Sequence, residues 1–110
     1  MVVSFRDSGA SLRISFAEDS TCLITVIADD ITIFQAAPSD LAALAIAGSP
    51  FGVRKAESTL TMQRYGDAAV AEVTSARRHT VVHVPWSRFT GVLLGGSERP
   101  GTLTAGRWLL

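Results

Sequence analysis

Apolar and polar residues alternate through most of the first half of the chain. Residues 11–17 show it best, with Leu12, Ile14 and Phe16 on one side and Ser11, Arg13 and Ser15 on the other. A period of two marks a strand with one buried face, the kind that pairs in antiparallel sheets. Residues 2–6, 21–28 and 31–36 predict three more strands, the second placing Cys22, Ile24 and Val26 together and the third Ile31 and Ile33. Asp7-Ser8-Gly9, Glu18-Asp19-Ser20 and Asp29-Asp30 are the turns between them, because Gly accepts positive φ and Asp bonds its own backbone.

The period then changes. Behind Pro38-Ser39-Asp40, Leu41, Leu44 and Ala45 fall at helical spacing, with Ser39 the expected N-cap and Gly48 the expected stop, followed by Ser49-Pro50. The second half follows the same order with less contrast. Residues 59–64 alternate, Tyr65-Gly66-Asp67 turns, and residues 68–74 are small and β-compatible. Ser75-Ala76-Arg77-Arg78 connects to a strand over residues 79–84, and a helix opens at Trp86 with Ser87 as expected N-cap and Gly95-Gly96 as its end. Residues 102–110 read as a closing strand carrying Leu103 and Trp108, and residues 49–52 as a junction too short to separate domains.

Laid on itself at an offset of 48, the chain matches in pattern. Leu12 and Ile14 meet Leu60 and Met62, Ile33 meets Val81, Ser39 meets Ser87, and Leu41 and Leu44 meet Phe89 and Val92. The expectation is an α+β fold of mostly antiparallel sheet. It is a single domain over residues 1–110, with two repeated units (1–50 and 51–110), each of antiparallel strands followed by a short helix.

Composition narrows the picture. At 110 residues, 47% apolar and 18% charged, the chain suits one compact core and is too apolar for disorder. No apolar run approaches the roughly 18 residues of a spanning helix, and the first residues lack the basic-then-apolar layout of a signal peptide. One cysteine, Cys22, excludes an internal disulfide. A cytoplasmic protein is expected. Net charge is zero but unevenly spread. Residues 1–50 hold two Arg against six Asp or Glu, net −4, and residues 51–110 hold eight Lys or Arg against four acids, net +4. Either the second half offers a basic face to a ligand, or the halves attract each other within one chain or across a dimer.

Candidate chemistry is sparse. His79 and His83 on one strand face stand about 13 Å apart, too far to share a metal. No nucleophile elbow, reactive-cysteine signature or pair of carboxylates at helical spacing is present, and Gly95-Gly96 follows a helix where a phosphate cradle would precede one. The chain reads as non-enzymatic, with no metal and no cofactor. What remains is a set of cations interleaved with rings: Arg64, Tyr65, Arg77, Arg78, Trp86 and Arg88. Single-stranded nucleic acid is held by such sets, since phosphates attract cations and bases stack on flat rings. The plainer reading makes Trp86 a hydrophobic staple and the paired arginines a solvated turn.

Several antiparallel strands followed by one helix, written twice, resembles the PUR-repeat and Whirly families of single-stranded nucleic-acid-binding proteins. The residues carrying the resemblance are 11–15 and 31–47, then 59–62 and 81–94; no signature residue of those families is matched, so none of their binding residues is carried over. The resemblance implies paired sheets, helices that pack together, and homo-oligomers. The expected ligand is therefore single-stranded nucleic acid, on a homo-oligomer and away from membranes. The competing expectation is a protein–protein or assembly subunit of viral or plasmid type, with edge strands 2–6 and 102–110 pairing between chains.

Overall fold

The structure, a computed structural model, describes residues 2–17 and 21–94. The elements run β1 (Val2–Asp7), β2 (Ala10–Phe16), β3 (Cys22–Ile27), β4 (Ile31–Ala36), α1 (Pro38–Ala47), β5 (Phe51–Lys55), β6 (Ser58–Tyr65), β7 (Ala68–Thr74), β8 (His79–Pro85) and α2 (Trp86–Leu93). Four strands and a helix thus occur twice. Each set of strands forms its own antiparallel sheet in sequence order, β1-β2-β3-β4 and β5-β6-β7-β8.

The alternation seen in the sequence sets which face each strand buries. In the first sheet Ile14 pairs with Ile24 and Ile24 with Phe34, all fully buried. In the second, Met62 pairs with Ala71 and Ala71 with Val82, again buried. β1 lies beside β8 and β4 beside β5, so the sheets meet edge to edge at two seams. The helices touch each other, with α1 reaching β6 and α2 lying on β7 and β8. The inner faces and both helices share one apolar core, and no buried side chain among the described residues is polar. Each fully buried Leu, Ile, Phe or Met contributes about 1.5–3 kcal/mol relative to exposure.

Turn chemistry agrees with the sequence. Ser8 and Gly9 both take positive φ, +42° and +85°, the two-residue hairpin geometry whose twist matches that of the flanking strands. Gly48 ends α1 at φ +70°, its N–H donating to the Leu44 carbonyl at 2.8 Å.

Three local expectations are corrected. The stretch read as a junction, residues 49–52, runs into β5, where Phe51 pairs with Met62 and Val53 with Leu60. The N-caps are Ala37 and Pro85, not Ser39 and Ser87, and neither helix has a side-chain cap bond. Pro38 occupies the first turn of α1, where its missing N–H costs nothing and its fixed φ suits the helix. The proposed closing strand at 102–110 and the Gly95-Gly96 stop lie outside the described residues.

The offset between corresponding buried positions is 48 in three places. They are β2 and β6 (Leu12 and Leu60, Ile14 and Met62), β4 and β8 (Phe34 and Val82), and the helices (Leu41 and Phe89, Ala45 and Leu93). Between β3 and β7 it is 47: Cys22, Ile24 and Val26 correspond to Ala69, Ala71 and Val73. Five residues separate Phe16 from its partner Cys22, but only four separate Arg64 from Ala69. The next turn restores the step, with three residues between Ile27 and Ile31 and four between Thr74 and His79.

Candidate nucleic-acid interface

Arg64 sits near the end of β6 and Trp86 opens α2, and the β6–β7 turn brings them together. The backbone N–H of Trp86 donates to the Asp67 carbonyl at 2.7 Å, fixing the helix start against that turn. Arg64 Nε donates to the Gly66 carbonyl at 3.0 Å, and the guanidinium carbon lies 4.6 Å from the centroid of the Trp86 ring. A cation over an indole at that distance is worth about 0.5–1 kcal/mol when exposed. The stack continues inward. Trp86 packs on Phe89 at 5.6 Å, Phe89 on Phe5 at 6.1 Å, and Arg88 lies over the Phe5 ring at 5.7 Å. Three of the six expected residues, Arg64, Trp86 and Arg88, therefore belong to one ladder of rings with a cation at each end.

This ladder changes what each residue offers. Trp86 is partly buried against the core and carries Arg64 on its ring, so that ring surface is closed to a base. Tyr65, the next residue of β6 and so projecting from the opposite face to Arg64, is 75% exposed and presents an open ring. The Arg64 guanidinium has its Nη hydrogens unbonded among the described residues.

Arg77 and Arg78 lie at the other end of β7, about 20 Å away along a seven-residue strand. Arg78 is engaged: its Nε is 3.0 Å from Asp30 and its Nη1 3.8 Å from Asp29, both in the β3–β4 turn. Arg77 is exposed beside it. Arg64, Trp86 and Arg88 thus form one cluster at the β6–β7 turn and α2, Tyr65 stands at the same strand end on the other face of β6, and Arg77 and Arg78 make a separate pair at the β7–β8 turn.

The histidines stand on the outer face of β8, each with its own carboxylate. His79 contacts Glu72 on neighbouring β7. His83 reaches across the β1–β8 seam, its backbone N–H donating to Asp7 Oδ2 at 2.8 Å and its ring Nδ1 3.2 Å from the same oxygen. These bonds, the backbone one foremost, hold the Asp7 carboxyl below the usual carboxylate range. At the other seam Lys55 Nζ donates to the Ile33 carbonyl at 3.0 Å. Among the described residues no group of His, Cys, Asp and Glu could hold a metal ion, and burial pushes the Cys22 thiol up to about 12. Between the halves, Arg78 faces Asp29 and Asp30, and His83 faces Asp7, within one chain.

One surface was not foreseen from the sequence. The outer face of the first sheet carries Arg6 and Arg13 on β1 and β2, then Leu23, Ile27, Ile31 and Ile33 on β3 and β4; Asp7, the one acid in its strands, falls on the opposite face of β1. Ile31 is 66% exposed and Ile33 42%. The signal was available: Ile31 and Ile33 alternate with Thr32 and Phe34, and only one of those two sets can face the core. Edge strand β1 is flanked by β8, and no helix among the described residues is long and apolar enough to cross a membrane. No protein-family model, curated protein or solved structure matches this chain.

Proposed function

We propose that this protein is a non-enzymatic binding module for single-stranded nucleic acid, and that the contact is made at the end of β6, by Arg64 and Trp86 with Tyr65 at the strand's last position. The observation that carries the reading is a guanidinium that Trp86 holds in place at the same strand end as an exposed Tyr65 ring. In this arrangement Tyr65 stacks on a base, Arg64 meets a phosphate, and Trp86 orients Arg64. Arg88 supports the ladder from its far end. Arg77 adds a remote cation, and Arg78 takes little part because Asp29 and Asp30 already neutralise it. The layout of four antiparallel strands and a helix, met twice, supports the reading by analogy only, since a fold does not fix a function. With it go derivation of the two halves from one unit, a cytoplasmic setting and a homo-oligomeric state, the last measurable by light scattering.

The test is anisotropy titration of a labelled oligodeoxythymidine. Affinity should fall as salt rises, because each neutralised phosphate releases a counterion. Arg64→Ala should weaken binding and reduce the salt slope by about one, and Tyr65→Ala should cost about 1–3 kcal/mol if the ring stacks a base. Absence of binding at low salt, or binding indifferent to salt, would end this reading.

A further inference from the structure

The outer face of the first sheet is an unusual surface for a strand-rich protein to leave open. Its geometry follows from the strand registers. Ser4, Arg13, Thr25 and Ile33 form one row across β1 to β4, Arg6, Ser11, Ile27 and Ile31 a second, and Val2, Ser15, Leu23 and Gln35 a third. Adjacent strands are about 4.8 Å apart, so Arg13 stands roughly 10 Å from Ile33 in the same row. The face therefore has a cationic side on β1–β2 and an apolar side on β3–β4. The apolar side does not stop at the edge of the sheet. At the β4–β5 seam it falls into a groove of about 300 Å³ lined by Leu23, Ile33, Gln35, Val53, Arg54 and Lys55. An apolar strip is thus flanked by Arg6 and Arg13 on one side and by Arg54 and Lys55 on the other.

The acids of this half are placed elsewhere. Among its described carboxylates, Asp7 is bonded to His83, Asp29 and Asp30 sit in a turn facing Arg78, and Asp40 lies in the first turn of α1. Among the described residues, the half that is net acidic by sequence presents a sheet face whose charged side chains, Arg6 and Arg13, are positive.

We infer that this face docks an extended peptide segment of a partner protein that is both acidic and apolar. Charge complementarity carries the choice. Carboxylates spaced along such a segment meet Arg6 and Arg13 or Arg54 and Lys55, while its apolar side chains cover Ile31, Ile33 and Leu23. A second copy of this face is disfavoured, because it would set arginines against a face on which no described residue is an acid. Nucleic acid is disfavoured because the strip is aliphatic throughout, and bases are held by rings. The surface is distinct from Arg64, Tyr65 and Trp86, which lie on the second half.

The test uses the full chain and an array of synthetic peptides about ten residues long, enough to cross the face when extended. One series alternates Asp or Glu with Ile, Leu or Phe. A second replaces the acids with Lys, and a third replaces the apolar residues with Ser. The first series should bind and the other two should not. Ile31→Ser combined with Ile33→Ser should weaken binding by about tenfold, as loss of a central apolar anchor does, while Arg64→Ala leaves it unchanged. Both isoleucines are exposed, so circular dichroism and melting of the variant should match the parent. Equal binding of the basic series, or binding unaffected by the isoleucine changes, overturns the inference. So does a loss of oligodeoxythymidine binding on those changes, which would assign the face to nucleic acid. A homodimer seen by light scattering that the isoleucine changes dissolve would assign it to a second copy, and equally overturns it.

Discussion

The two halves of this chain carry the same order of elements and are furnished differently. The first packs its inner face with larger side chains on its third strand, Cys22, Ile24 and Val26, where the second has Ala69, Ala71 and Val73. The second compensates at the helix, placing Phe89 and Trp86 where the first has Leu41 and Pro38. The comparison teaches that two halves with the same order of elements fill one shared core differently, the first with more bulk in the sheet and the second with more in the helix. The surface chemistry differs as well. Both histidines, Tyr65 and Trp86 lie on the second half, and an open apolar face flanked by Arg6 and Arg13 on the first.

The helix anchors give the sharpest test of that exchange. Phe89→Ala should cost about 3–5 kcal/mol, because the ring is fully buried and touches both Phe5 and Trp86. Leu41→Ala should cost about 2–5 kcal/mol. Urea denaturation of both variants would show whether bulk at the second helix matters more, and a larger loss at Leu41 would reverse the comparison. Cys22 has Ala69 as its counterpart. Its thiol, pushed up to about 12 by burial, should resist alkylation in the native protein and react once the chain unfolds. Cys22→Ser would bury a hydroxyl in an apolar strand and should cost about 1–3 kcal/mol.

Smaller effects are expected at the charged contacts. Arg78→Ala or Asp30→Ala should cost at most about 1 kcal/mol, less in high salt, since the pair is exposed. Reversing both charges together should recover most of it. The two seams differ as well, with Asp7 bonded to His83 at one and Lys55 to the Ile33 carbonyl at the other. Asp7 is held below its ordinary range, so its contribution is complete above the unfolded value of about 3.9 and is lost as pH falls through the folded one. Melting temperature measured from pH 5 to pH 2 should fall more steeply for the parent than for Asp7→Asn.

Much of this fold was legible because alternation and turn residues are local. Strands of the first half, the Ser8-Gly9 hairpin and the Gly48 stop all follow from spacing and φ preferences. β5 was missed although Phe51 and Val53 alternate with Gly52 and Arg54, because Pro50 and Gly52 are also the residues of a loop. Both helix caps lie two residues earlier than expected, at Ala37 and Pro85, for a related reason. Ser39 and Ser87 are good caps, but Pro38 and Trp86 are already helical, and what fixes α2 is the Asp67 carbonyl, a contact with another turn. The candidate site divides in the same way. That Arg64 and Trp86 share a stack depends on how the β6–β7 turn meets α2, which no spacing reveals. That Arg78 is neutralised had a trace in the sequence, since Asp29-Asp30 precede Arg77-Arg78 by 48.

That last contact has a consequence for partner choice. Where the β3–β4 turn meets the β7–β8 turn, the first half presents two aspartates and the second two arginines. Two first halves brought together in the same way would oppose aspartate to aspartate, and two second halves arginine to arginine. Only an unlike pair is neutral there. At this exposed contact the two turns meet with opposite charges, Asp29 and Asp30 against Arg78, where like turns would repel.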